Sequence, residues 1–440
     1  MIGLFLLIII MFLLLFSYYL NNDLFSPAKF YLFFLILFFF KIFILDYNVE
    51  IYLAYLFYIF LGIVLILFEF HYLSKFKKSA EVFFNMNKPI LMNPAMTFGT
   101  ILLLSLIPIA TQLYMIYYLG GLEKYMISMV FRVEDWQGLN AILVLKDIFP
   151  VLNLFFLLLL LLLKFPNKKM WIFIFLLHLL IAILLGLLTG SRSWVLNIFL
   201  ISIVAINYIR FSIKPIQLIL PLIFFLIGTE VLGTFRNTAD RLFDGRDDQK
   251  EEQSIIAQIS ESATFEYGLN PLQYVYEKEY TDLKYGGTYF TILSNFIPRK
   301  IWPEKPESAG TILTKWNEGT SYTGWSAKSP GLIAEAIMNY GYYLAFPFVF
   351  LIFILISFFV CICYQFLYHN MIKISNKFNF NSYKKIWWGV ILVINCNQIL
   401  GALTMAESTN VFFNLIKNLL FSLFVLIILF KVIKLSIYKS

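Results

Sequence analysis

Charge is the scarcest property of this 440-residue chain. Asp, Glu, Lys and Arg together make up 14% of it, against about 25% in an ordinary soluble protein. With 60% hydrophobic residues and a mean hydropathy of +0.80, that shortage excludes a water-soluble globular class and leaves a polytopic membrane protein. Cysteine and histidine are nearly as scarce, at three residues each. Cys361, Cys363 and Cys396 lie in apolar runs without metal-site spacing and read as small buried hydrophobes. His71, His178 and His369 are scattered along the chain, so no metal site is expected. The sequence contains no GxSxG, Walker, HExxH or EF-hand pattern, which leaves a nucleotide-driven enzyme without a motif and no cofactor expected. Alternation of strand period is also missing, and a β-barrel is excluded. The first twenty residues, MIGLFLLIIIMFLLLFSYYL, have neither a basic leader nor a cleavage site and are expected to form a retained first span.

What the chain does have is length of apolar sequence. A spanning helix needs about 20 apolar residues, and that template predicts about eleven spans. They fall near 2–20, 30–45, 51–70, 96–119, 139–163, 170–189, 194–209, 216–233, 338–363, 386–405 and 411–430. Lys and Arg gather in alternate short connections, among them Lys75, Lys77, Lys78, Lys164, Lys168, Lys169, Arg210, Lys214, Lys384 and Lys385. The opposite set carries few basic residues besides Lys124, Arg132 and Arg192. This asymmetry predicts an outer N-terminus and a cytoplasmic C-terminus. The formal net charge of +8 is then topogenic, and nucleic acid is not an expected partner. The fold class expected is an all-α polytopic integral membrane protein. Residues 1–233 supply eight spans, 234–330 one large extracytoplasmic loop, and 331–440 three further spans and a cytoplasmic tail.

The loop contains the stretch SNFIPRKIWPEKPESAG, residues 294–310. Pro298, Pro303 and Pro306 rule out a regular helix there and favour a stiff, extended turn. A long translocated loop is free of the charge rule, so its basic residues have no topogenic explanation. Arg299 and Lys305 are candidates to face an anion, with Trp302 beside them to stack on a sugar ring. A rigid connector with solvated charges is the equal alternative. Arg192 follows Gly190 and Ser191 before a helix start, an arrangement that offers N–H groups to phosphate; a snorkelling arginine is the competing reading. Arg236 lies at the outer end of the eighth span, with Glu230 shortly before it. Glu335, on the apolar stretch PGLIAEAIMNYG, is either a general base or the partner of a nearby arginine. Glu407 is a second carboxylate candidate, and Asp147 beside Lys146 reads as an internal pair.

Four of these stretches, TGSRS at 189–193, GTFRN at 233–237, NFIPRKIWPEKPESAG at 295–310 and PGLIAEAIMNYG at 330–341, carry a family resemblance. Together they resemble the Wzy-type O-antigen and oligosaccharide repeat-unit polymerases. Arg299 followed after an interval by Gly310 looks like the Arg-and-Gly motif of the large periplasmic loop in that family. The resemblance implies a glycosyltransferase of the bacterial inner membrane, similar in architecture to GT-C-type lipid-linked sugar transferases. It would move a growing glycan from an undecaprenyl-diphosphate carrier to a sugar hydroxyl on a new lipid-linked repeat unit, for an O-antigen, capsule or similar polysaccharide. It also implies Arg192, Arg236 and Arg299 as diphosphate ligands, Trp302 as a sugar platform, Glu335 as the base, and a chain-length regulator and membrane lipid among the partners. An O-antigen ligase and a lipid-linked oligosaccharide flippase are the alternatives. The related ligases use a histidine in their large loop, and none occurs in 234–330.

Overall fold

The structure, a computed structural model, describes residues 2–73, 94–128, 136, 139–162, 166–188, 192–209, 213–218, 269–297, 301–319, 329–372, 391–396, 398–403 and 408–437. All regular structure among them is helical. In chain order the helices are α1 (Ile2–Leu20), α2 (Pro27–Phe38), α3 (Val49–Leu73), α4 (Pro94–Tyr118), α5 (Leu122–Ser128), α6 (Asn140–Lys146) and α7 (Ile148–Leu162). They continue as α8 (Lys168–Leu188), α9 (Arg192–Ile209), α10 (Leu269–Glu277), α11 (Gly287–Ser294), α12 (Ala309–Glu318), α13 (Gly331–Ile372) and α14 (Ser408–Ile437).

Seven of the helical stretches are long and apolar enough to cross a bilayer: Ile2–Leu20, Val49–His71, Ala95–Tyr118, Val144–Leu161, Lys168–Leu188, Gly331–Gln365 and Val411–Leu429. They coincide with seven of the expected spans, and the protein, helical throughout its described regular structure, has the build of a multi-pass membrane protein. The expected second span is a shorter object. Pro27 sits at the start of α2, which ends at Phe38 and passes into a 3₁₀ turn at Phe40–Phe43. Twelve residues of α-helix rise only about 18 Å, well short of a hydrocarbon core of about 30 Å. The expected eighth span lies largely outside the described residues, and shorter apolar helices occur at Asn197–Asn207 and Ile391–Gly401.

The chain divides into two compact units. The first comprises Met1–Lys77, Asp248–Gln365 and Gln398–Leu415, and the second comprises Lys78–Asp247, Phe366–Asn397 and Ile416–Ser440. In the first unit α1, α2 and α3 pack together, with Tyr31, Phe39, Tyr55 and Tyr58 fully buried among them. Their inner framework is polar at one end. The Glu69 carboxylate accepts hydrogen bonds from Asn21 Nδ2 at 2.7 Å and the Ala28 N–H at 2.9 Å, while Tyr364 Oη donates to Asp23 Oδ2. A buried carboxylate demands such partners, because an unsatisfied charge away from water is far costlier than the hydrogen bonds that quench it.

In the second unit α4, α7, α8 and α9 pack around Phe149, Ala182, Leu185 and Ile198. His178 of α8 is buried here and stacks on Phe149 with ring centroids 4.4 Å apart. Its Nε2 lies 2.8 Å from Ser105 Oγ and its Nδ1 lies 2.9 Å from Asn153 Nδ2. With Asn153 donating to Nδ1, the proton sits on Nε2 and is donated to Ser105, whose hydroxyl in turn donates to the Ile101 carbonyl at 2.8 Å. Asp147 finds its partner in Lys417, at 2.5 Å, rather than in its sequence neighbour Lys146. The Lys146 ammonium lies over the Trp136 ring, 5.3 Å from the centroid.

Candidate functional site

The polar loop meets the membrane helices at α13, and the meeting depends on a break in that helix. Gly341 has φ 78 and ψ 173, a conformation closed to residues with a Cβ. Tyr340 and Phe348 are eight residues apart, about 12 Å along a straight helix, yet their ring centroids are only 4.4 Å apart. The break kinks the helix at Gly341, with the Tyr340 and Phe348 rings in contact across it. It also frees carbonyls that an unbroken helix would have engaged. The Met338 carbonyl accepts the Lys284 N–H at 2.9 Å, and the Asn339 carbonyl accepts the Tyr285 N–H at 3.1 Å. At the other end of this segment, the Ile333 N–H, which has no helical acceptor in the first turn, donates to Tyr58 Oη at 3.1 Å.

Residues 331–339 are buried without interruption, so this short helix has no solvent face. Within it Glu335 and Asn339 are one turn apart and point to the same neighbours. Glu335 is fully buried. Its Oε1 accepts from Thr288 Oγ1 at 3.0 Å and from Ser408 Oγ at 2.7 Å, and its Oε2 accepts from the Ser408 N–H at 2.9 Å. Ser408 opens α14, so the carboxylate also sits at the positive end of a helix dipole. Asn339 Nδ2 donates to Thr288 Oγ1 at 2.7 Å and to the Glu335 carbonyl at 2.7 Å, while its Oδ1 accepts the Gly286 N–H at 2.9 Å. Gly286, at φ 87, makes the turn that brings this N–H round; a Cβ there would approach Tyr340 Oη to 3.1 Å.

Tyr289 flanks the cluster, its ring stacked on Tyr340 at 6.3 Å and tilted against Phe348 at 5.4 Å. Three segments distant in the chain, 286–289, 335–339 and 408, therefore converge on one buried carboxylate. Chemically the cluster offers a buried carboxyl group, the hydroxyls of Thr288 and Ser408 bonded to it, and an aromatic wall.

The residues singled out in the sequence fall in several places. Glu335 is at the centre of this cluster. Lys305 is buried, and its ammonium donates to the Ile297 carbonyl at 3.1 Å and, more weakly, to the Ser294 carbonyl at 3.5 Å, at the C-terminal end of α11. Trp302 is half-buried and meets Phe290 edge-on at 6.1 Å. Gly310 is buried in the first turn of α12, whose N-cap Ser308 accepts the Thr311 N–H, and its carbonyl accepts from Thr314 Oγ1 at 2.7 Å. The described residues of the proline-rich stretch, from Ile301 to Ser308, are non-helical, as the prolines require. Arg192 opens α9 in the second unit; its side chain, and all of Arg299, Arg236, Glu230 and Glu407, lie outside the described residues.

Sequence reasoning did not single out Thr288, Tyr289, Asn339, Ser408 or Tyr58. Asn339 carried the one legible signal, as a second polar residue one turn after Glu335 in an apolar helix; the others are ordinary hydroxyl residues that only the fold brings together. His178 with Ser105 and Asn153 was missed likewise, because its partners lie on two other helices. In comparisons with known proteins, no protein-family model, curated protein or solved structure matches this chain.

Proposed function

We propose that this protein is a glycosyltransferase of the repeat-unit polymerase kind, acting at the outer face of a bacterial inner membrane. It transfers a growing glycan from undecaprenyl diphosphate to the sugar hydroxyl of a new lipid-linked repeat unit. The observation that supports this reading is the junction at Glu335. In a chain so poor in charge, a carboxylate buried where a long polar loop meets a broken membrane helix marks that end of the first unit as the place for chemistry.

In this reading Arg299, in the first unit with Glu335, holds the diphosphate, whose leaving oxygens need cations more than a nucleotide or a metal; Arg192 and Arg236, of the second unit, are the further phosphate candidates that the family resemblance suggests. Arg192 opens α9, and a helix N-terminus is a setting that favours phosphate. Trp302 supplies the sugar platform. As the acceptor oxygen bonds to the anomeric carbon, the anomeric bond to diphosphate breaks and the electron pair leaves with the phosphate. The acceptor's proton goes to Glu335, which takes it once the acceptor hydroxyl displaces Thr288 or Ser408 from the carboxylate.

A second reading as a lipid-linked oligosaccharide flippase draws on the break at Gly341, because discontinuous helices form the substrate sites of many transporters. Complementation separates the two. In a strain lacking its polymerase, the wild-type gene is expected to restore long polysaccharide ladders, and Arg299→Ala to leave single repeat units only. A normal ladder from Arg299→Ala refutes the assigned role, and rescue of a flippase-deficient strain alone selects the second reading.

A further inference from the structure

The helix α11, Gly287–Ser294, is arranged inside out for a loop in water. Its protein-facing side is small and polar: Thr288 and Thr291 are 0% exposed and Ser294 is 1% exposed. Its other side, continuing past the helix end, presents Phe290 at 50% exposure, Leu293 at 60%, Phe296 at 44%, Ile297 at 37% and Ile301 at 76%. Burying hydroxyls while exposing large apolar side chains is unfavourable against water, and favourable against hydrocarbon. α1 sorts its residues the same way, with Ser17 buried and Phe5, Phe12 and Leu15 exposed.

The backbone agrees with the side chains. The carbonyls of Ser294 and Ile297 at the end of α11 are taken by the buried Lys305 ammonium. A helix end in water needs no such internal donor, whereas one away from water does. The apolar face is also continuous with membrane-spanning surface: Phe296 packs on Phe413 of the Val411–Leu429 span, at 4.8 Å.

We propose that α11 is embedded in the bilayer and that Phe290, Leu293, Phe296, Ile297 and Ile301 contact lipid acyl chains. The nominally polar loop thus enters the membrane at this helix and sets the carboxylate cluster at the level of the lipid rather than above it. The proposal stands on α11 alone and does not depend on the reaction assigned above.

The test is a nitroxide label at Leu293→Cys, with Phe290→Cys as a second position. The full-length protein, with its native cysteines replaced, is reconstituted in phosphatidylethanolamine–phosphatidylglycerol vesicles. Collision rates with oxygen and with a water-soluble nickel chelate are then compared, with a label at the exposed Glu304→Cys as reference. A several-fold oxygen excess over the reference is expected at both apolar positions. Nickel access equal to that of the reference places α11 in water and overturns the proposal. Low access to both reagents means that protein, either another part of this chain or a second copy, covers the face, and overturns it as well.

Discussion

Replacing Glu335 separates two consequences of its geometry. Among the described residues the carboxyl group receives hydrogen bonds from Thr288 Oγ1, Ser408 Oγ and the Ser408 N–H. In Glu335→Gln the amide oxygen can keep the Ser408 N–H, and the new amide N–H groups face two hydroxyls, each able to rotate and accept. The exchange turns charge-assisted bonds into neutral ones, a difference of about 1 kcal/mol for each bond, and therefore about 3 kcal/mol in all. Glu335→Ala instead strands three buried donors at about 1–3 kcal/mol each and opens a cavity besides. Thermal unfolding of the purified protein in detergent is expected to rank wild type above Gln and Gln well above Ala. Chain-length ladders read the other consequence: a folded Glu335→Gln protein that makes no polymer supports the proton-accepting role, while full-length polymer leaves Glu335 as a clamp only. An Ala variant that melts with the wild type refutes the argument from buried hydrogen bonds.

Two further substitutions probe the junction. Gly341→Ala meets no steric wall beyond Leu283 Cδ2 at 4.0 Å, yet it forces a Cβ into a glycine-only backbone region, a cost of about 1–3 kcal/mol; a lower melting temperature is expected, and an unchanged one refutes the assigned break. Lys305→Met keeps the apolar stem and removes the ammonium from the Ile297 and Ser294 carbonyls. The expected loss is about 1–3 kcal/mol, read as lower thermal stability, and a neutral outcome shows that water or lipid headgroups reach those carbonyls.

Hydropathy made the long spans legible because it counts side chains over about 20 residues, and α1, α3, α4 and α8 meet that template nearly residue for residue. The same count carries no information about backbone torsion. The stretch PGLIAEAIMNYG reads from sequence as the start of a helix running directly into the ninth span; helix is what forms, but Gly341 breaks it, within the less hydrophobic run NYGYY at 339–343. Glu335 was legible as an anomaly, a carboxylate in apolar sequence. Its partners were not, since Ser408 lies 73 residues away and Thr288 lies 47 residues away. Lys305, which the sequence suggested as an anion-facing residue, is buried and donates to the Ile297 and Ser294 carbonyls, contacts between residues 8 and 11 positions apart that the sequence does not announce. In α11 the hydroxyl residues at 288, 291 and 294 mark a polar stripe that soluble-protein reasoning assigns to water; the fold turns that stripe inward.

The order in which the Glu335 cluster receives its parts has a consequence for biogenesis. Lys284, Tyr285 and Thr288 leave the ribosome before Glu335 does, so the loop's donors are already made when residues 331–340 emerge. Ser408 follows 73 residues later, which at about 5–20 residues per second is a wait of about 4–15 s. Through that interval the carboxyl group lacks both of its Ser408 hydrogen bonds, so a chain truncated before Ser408 is expected to leave this buried group short of partners and the first unit less stable.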